Sequence, residues 1–411
     1  MSKPYDTVII GAGPGGSAAA YYLARQGFDV LLLDKFDFPR DKTCGDALSP
    51  RALGVLDDMG LLGEMRRAGR RVNGLEVFAP NGQATAATIP QHDGRPEYAL
   101  VLPRLILDNA IRERALAGGA KFEGRIRVTA VEPDGNGVVV RGGRRGRSAT
   151  FKARLAIIAT GASPKLLLQM GLLPRQPPMI LAARSYFEEV KGLGDQMHFR
   201  FDGVPLPGYG WVFPLPDSAA NIGAGFFPNG RTARRVPATP GAAFEQFIQT
   251  PSLRAILAGA RQAEPVKGYP LRVDFATAPT FGARALLVGE AAGLVNPLTG
   301  EGIDYALESG RIAAEHAGHL FATGDFSPQN LAAYDRLLRQ RYQNLFVFSN
   351  RMRDLFLRPF FLNRLVKAAH RQADLKMLLL NILLGNQHMS MGFSLKTLFR
   401  IFLAATTTGL R

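Results

Sequence analysis

The run Gly11-Ala12-Gly13-Pro14-Gly15-Gly16 follows the apolar stretch Tyr5 to Ile10 and precedes a helix-like stretch, Ser17 to Gln26. The chain then returns as Phe28 to Leu33 and closes on Asp34, with Lys35 beside it. Strand, glycine turn, helix, strand and terminal carboxylate in this order form a dinucleotide site. Gly11 permits the tight turn, Gly13 lets the backbone approach a pyrophosphate, and Gly16 lets helix and strand pack closely. The helix N-terminus, entered at Gly15, turns unpaired N–H groups toward the phosphates. Asp34 is placed to accept from a ribose hydroxyl. A second set lies far downstream: Gly289-Glu290-Ala291-Ala292-Gly293, then Thr299-Gly300-Glu301-Gly302-Ile303, which opens another helix whose N-terminus favours negative charge.

These groups need a sheet to hold them. Ala153 to Ala159, apolar but for Arg154, ends in Thr160-Gly161, and Ala283 to Val288 is apolar but for Arg284; both read as buried strands of a parallel sheet. Pro50 to Arg67, Pro103 to Leu116 and Ile303 to Leu320 read as helices. Val72 to Ile89, with Pro80-Asn81-Gly82 between its apolar runs, reads as a hairpin. From about Pro164 to Pro279 short strands separated by Pro and Gly predict an antiparallel insertion. The expected architecture is α/β: a Rossmann-like three-layer nucleotide-binding domain over residues 1–71, 100–163 and 280–325, an inserted antiparallel β-sheet substrate domain over 72–99 and 164–279, and a basic amphipathic C-terminal helical region over 326–411.

With 411 residues the chain can bury a large core, and one cysteine, Cys44, leaves no internal disulfide. The N-terminus enters a strand almost at once with no signal-peptide pattern, so a cytoplasmic location is expected. The net charge of +16 calls for an anionic partner. From Leu331 to Arg411 there are 13 Lys or Arg against three Asp. The same segment carries the apolar run Met377 to Leu384, then Leu395, Leu398, Phe399 and Phe402 at one-face spacing with Lys396 and Arg400 on another face. This predicts a helix lying on an anionic membrane surface, since no apolar run reaches the roughly 18 to 20 residues of a spanning helix. Aromatic residues are not interleaved with charge in a nucleic-acid motif, and no nucleic-acid partner is expected.

The glycine fingerprint near the N-terminus, paired with Gly289-Glu290-Ala291-Ala292-Gly293 late in the chain, resembles FAD-dependent oxidoreductases of the aromatic-hydroxylase-like fold. Within that group, Lys42-Thr43-Cys44-Gly45-Asp46-Ala47-Leu48-Ser49-Pro50 and Tyr209-Gly210-Trp211-Val212-Phe213-Pro214 resemble the signatures of the geranylgeranyl reductase family, which saturates double bonds in isoprenoid chains. The basic tail makes the chain similar to members acting on membrane lipids, the isoprenoid tail of menaquinone above all. The resemblance implies FAD as cofactor, a prenyl lipid as substrate, and an electron donor that is a reduced nicotinamide, ferredoxin or another carrier. It also implies that Arg104 lies against the cofactor and that Cys44 and Gly45 lie near its ring. Two positions depart from the usual pattern: Thr160 stands where Asp is usual, and Glu290 keeps a carboxylate with one more methylene.

Reducing an isolated alkene requires a proton to arrive almost together with the hydride, because no carbonyl absorbs the developing charge. Cys44 is one candidate to tune that proton; a water held by backbone groups is another. Tyr209, Trp211 and Phe213 alternate on a strand-like segment, so they share one face and can wall an apolar cavity ending near Pro214. The six histidines show no ligand pattern; His316 and His319 lie three apart on a probable helix but lack carboxylate or cysteine company, and no metal is expected. Two other readings use the same fold or cofactor: an FAD monooxygenase or halogenase, and a lipid-binding protein in which FAD is structural.

Overall fold

The apolar runs at Tyr5–Ile10, Val30–Leu33 and Ala285–Leu287 and the end of Arg147–Ile158 are strands with every central side chain buried, as both-face burial in a parallel sheet requires. A computed structural model describes residues 3–90, 94, 96–228 and 239–384. In it Tyr5–Ile10 lies between Val30–Leu33 and Arg147–Ile158, with Ile9 opposite both Leu32 and Ile157. Ala285–Leu287 extends the parallel sheet on one side and Lys121–Glu123 on the other. Gly137–Arg144 and Arg127–Asp134 continue antiparallel from Arg147–Ile158. Helix Pro14–Arg25 packs against both Ile303–Thr323 and Arg104–Ala117. The architecture is the expected Rossmann-like α/β assembly.

The second sheet runs Arg261–Gln262, Met179–Glu188, Ala220–Phe226, Gly208–Pro214, Gln196–Arg200, Gly74–Phe78, Ala84–Thr88, with Lys267–Arg272 also paired to Met179–Glu188. Its pairs are antiparallel except where Gln196–Arg200 meets the Gly74–Phe78 hairpin strand. Alternation along Gly208–Pro214 sends Tyr209, Trp211 and Phe213 to one face and Val212 to the other, where Phe244 and Phe247 of helix Pro240–Ile248 cover it. Gly223 stands opposite Trp211 and leaves room for the indole, which a Cβ would penetrate.

The structure adds detail to two helical stretches. Pro50 to Arg67 is two helices, Pro50–Asp58 and Leu62–Ala68, because Gly60 takes a left-handed φ of 72° between them. The region from 326 divides between two cores. In helix Pro328–Phe356, Tyr334, Tyr342 and Phe346 enter the core of the parallel sheet, and the Tyr334 hydroxyl donates to the Leu287 carbonyl at 2.8 Å. Helices Pro359–Arg371 and Ala373–Leu383 instead lay Leu362, Leu365, Leu379 and Leu383 on the Tyr209 face of the second sheet. The expected one-face helix around Leu395 to Phe402 lies outside the described residues.

Candidate active site

The first turn is dictated by space. Gly11 has φ 109°, and a Cβ there would overlap the Ala159 carbonyl oxygen. A Cβ on Gly16 would overlap the Gly11 carbonyl, so helix Pro14–Arg25 can start only this close to the strand with glycine at that position. Gly13 caps the helix without a side-chain hydrogen bond, leaving the first N–H groups open. Asp34 is buried; its Oδ2 accepts from Ala12 N–H at 2.8 Å and its Oδ1 from Phe36 N–H at 2.9 Å. A carboxylate has about four acceptor directions, so Asp34 both braces this turn and keeps capacity for a hydroxyl.

From this turn a cavity of about 740 Å³ runs to the aromatic face of the second sheet. Gly11, Gly13, Gly15, Asp34, Lys35, Cys44, Gly45, Arg104 and Gly161 line it from the first half of the chain. Tyr209, Trp211, Phe213, Gly289, Glu290, Gly300, Gly302 and Ile303 line it from the second. Gly16 and Pro214 do not: Gly16 is spent on helix packing, and Pro214 ends its strand in pairing with Ala220. The far end is apolar, made by Met197, Phe199, Leu357, Leu383 and Leu384.

Charge in the cavity is held by buried partners. Arg104 is buried: Nε and Nη2 donate to Asp108 at 2.6 and 2.8 Å, one helical turn on, and Arg40 lies 3.1 Å from the same carboxylate. Lys42 sits with its ammonium 3.3 Å from the centre of the Tyr269 ring, and burial pushes it down to about 8. Burial raises Glu290, which accepts from Arg272 N–H at 3.0 Å. The Tyr209 hydroxyl donates to the Thr299 carbonyl, tying the aromatic wall to the Thr299–Gly302 turn. Below the Cys44-Gly45 segment, Asn221 donates to the Cys44 carbonyl at 2.7 Å and to Asp46 Oδ2 at 2.8 Å while accepting from Trp211 Nε1 at 2.9 Å.

Sequence reasoning quoted Lys42, Asp46 and Glu301 within motifs without giving them a role, and missed Tyr186, Asn221 and Tyr269. Lys42 and Asp46 carried a usable signal, standing inside the Cys44 motif; Tyr186 and Asn221 carried none, because their contacts span 140 and 175 residues. A further buried set, Ser49, Arg51, Glu301, Asp304 and Glu308, locks helix Pro50–Asp58 to the start of Ile303–Thr323. Glu301 is held well above the usual carboxylate range by burial and then by Asp304. Among the described residues no cluster of three or more His, Cys, Asp or Glu is placed for a metal, and no helix is long and apolar enough to cross a membrane.

Comparison with known proteins bears on the cofactor and the family. A family model described as FAD binding domain matches residues 4–175. The menaquinone reductase of Mycobacterium tuberculosis is 34% identical over 377 residues, covering 87% of this chain and 85% of its own. The digeranylgeranylglycerophospholipid reductase 1 of Methanothermobacter thermautotrophicus is 28% identical over 353 residues, covering 83% of each. The crystal structure of a geranylgeranyl bacteriochlorophyll reductase-like protein from Thermoplasma acidophilum superposes with a TM-score of 0.80 at 22% identity, over 98% of this chain and 97% of that one. The turn fits the phosphates of FAD on its own geometry, since a Cβ at Gly13 would project into the cavity with only Arg40 near it, 3.7 Å away.

Proposed function

The chain belongs to the geranylgeranyl reductase family of FAD-dependent oxidoreductases, and from that premise we propose that it saturates carbon–carbon double bonds in the isoprenoid tail of a prenyl lipid, menaquinone first among them. The observation that carries this reading is the continuity of one cavity from the glycine turn to an apolar end walled by Tyr209, Trp211, Phe213 and Phe199. Bound FAD, once reduced, supplies the hydride. Gly11, Gly13 and Gly15 would cradle the pyrophosphate at the helix N-terminus, with Gly16 setting that helix's closeness. Asp34 and Glu290 would accept from hydroxyls, and Lys35 would lie beside the ribose. Arg104 and Gly161 would flank the cofactor, and the N–H groups around Gly300, Gly302 and Ile303 would stabilise negative charge on the reduced ring. Cys44 and Gly45 would lie near the ring and position the substrate.

The prenyl chain would lie against Tyr209, Trp211 and Phe213, with Pro214 closing that strand and the leucines of the last two helices forming the far end. Burying apolar chain there is favourable by about 25 cal/mol per Å². Electrons would come from a reduced nicotinamide, ferredoxin or another carrier. Leu355 and Phe360, 55% and 54% exposed beside Arg358 and Arg364, would seat this end on an anionic membrane at the cytoplasmic face. The test is anaerobic incubation of the chemically reduced protein with menaquinone and with geranylgeranyl lipids, read by mass spectrometry. A gain of one hydrogen molecule per bond supports the reading. Unchanged lipids beside a bound, reducible flavin, with oxygen-dependent hydroxylation or halogenation of an aromatic substrate, would replace it.

A further inference from the structure

Among the described residues, the C-terminal helices give the cavity wall one charged side chain, Arg353, near the end of helix Pro328–Phe356; the other charged side chains lining it belong to the stretch from Asp34 to Glu301. Helical spacing puts Arg353 and Leu357 on one face, and both line the cavity, whereas Leu355 between them is turned outward and exposed. The guanidinium is fixed on two sides. Its carbon lies 4.2 Å from the centre of the Phe227 ring, another lining residue, and its Nε donates to Asp354 at 2.8 Å. The Arg353 side chain is 10% exposed and that of Asp354 60%, so the pair reaches from the cavity wall to its rim. Nη1 and Nη2 meet no acceptor among the described residues, yet neither is sealed off. A rigid guanidinium on the wall of an apolar cavity, with most of its N–H bonds open, is suited to receive an oxygen.

Resting on the prenyl-lipid reading, we propose that Arg353, braced by Phe227 and Asp354, binds the head group of the lipid, and that the head it selects is neutral and bears a carbonyl oxygen, as a quinone does. Nη1 or Nη2 donates to that oxygen, and the tail runs from there past Phe199 and Tyr209 toward Cys44. A charge-assisted hydrogen bond to a carbonyl requires no second cation. A phosphate would bring a full negative charge into an apolar wall to meet a guanidinium already shared with Asp354, and no other Lys or Arg of the described C-terminal helices lines the cavity to balance it. This end therefore separates prenyl lipids by head rather than by tail. Met197, Phe199, Leu357 and Leu383 offer dispersion contacts that any isoprenoid satisfies alike, while a head without an acceptor leaves Arg353 desolvated and unmatched.

The probe is 2,3-dimethyl-1,4-naphthoquinone, a quinone head with no tail and with its ring carbons blocked against addition of a thiol, in equilibrium dialysis against the oxidised, flavin-loaded protein. The wild type should bind it, and 2,3-dimethylnaphthalene, which lacks both carbonyls, should bind about ten-fold more weakly or worse, a comparison that needs no variant. Arg353→Met, which keeps an aliphatic stem without the donors, should weaken the naphthoquinone about ten-fold and leave the naphthalene within about two-fold. In turnover the same variant should raise KM for menaquinone by a similar factor with kcat near that of the wild type. Equal binding of the two probes, or a variant that weakens both alike or neither, would overturn the proposal. So would displacement of the naphthoquinone by millimolar inorganic phosphate, which would make the site a reader of anions. If the naphthoquinone binds through Arg353 while menaquinone stays unsaturated, the prenyl-reduction reading fails and the head-group site stands.

Discussion

The Gly11–Gly16 turn and the Asp46–Asn221–Trp211 patch face the same cavity, one holding its place by the absence of side chains and the other by three side chains from distant segments. At the turn, backbone touches backbone: Cβ atoms at Gly11 and Gly16 would overlap main-chain oxygens, so almost nothing but glycine is accommodated. At the patch, a single amide meets a carbonyl, a carboxylate and an indole, and each bond is 2.7 to 2.9 Å. The first arrangement tolerates no change of shape; the second tolerates no change of hydrogen-bonding partner. That difference orders the expected effects of substitution.

Gly11→Val should be the most damaging change, removing the left-handed turn and driving a branched side chain into Ala159. Flavin absorbance should be lost from the purified protein and stability should fall by about 4 kcal/mol or more in urea unfolding. A variant that retains flavin and unfolds like the wild type would break the contrast. Asn221→Ala should cost about 2 to 3 kcal/mol by leaving the Trp211 N–H and the Cys44 carbonyl without their partner, and it should retain flavin. A double-mutant cycle with Trp211→Phe should show a coupling of about 1 kcal/mol, which additivity would refute.

Lys42, at the seam of the two regions, offers a pH test. Its folded value of about 8 lies below the ordinary 10.5, so between those pH values the unfolded chain binds a proton that the native protein has released. Stability relative to Lys42→Met should therefore rise with pH across that interval, measured by paired denaturant titrations on flavin-free protein. A falling or flat difference would mean that Lys42 stays charged in the fold. The smallest effect on stability should come from Leu355→Ser with Phe360→Ser, within about 0.5 kcal/mol because both side chains are exposed. Binding to anionic vesicles should nevertheless drop; unchanged vesicle binding would move the membrane contact elsewhere.

The same contrast explains what could be read in the chain. The glycine turn is one contiguous run between apolar strands, so spacing alone picked out Gly11 to Gly16 and Asp34 as one local unit. Tyr209, Trp211 and Phe213 were legible because strand alternation puts them on one face. Nothing local distinguishes Asn221 or Tyr186 from any polar residue on a strand; they matter because register brings them under Cys44 and Asp46. That Arg104 forms a buried ion pair was not legible, since Asp108 one turn later also fits an exposed helix face. The division of the C-terminal helices between two cores was hidden for a related reason: an apolar face announces that it is covered, not by what.

That division has a consequence for how the protein is made. The Tyr209 face of the second sheet is built from strands between Gly74 and Pro214, yet its cover is supplied by Leu362, Leu365, Leu379 and Leu383. During synthesis the strands leave the ribosome long before those leucines, so a broad greasy surface stays bare while the rest of the chain is translated. Such an interval is when nascent chains aggregate or recruit protection. The ribosome-bound intermediate, rather than the finished enzyme, is then the form most in need of a chaperone or of an early encounter with lipid.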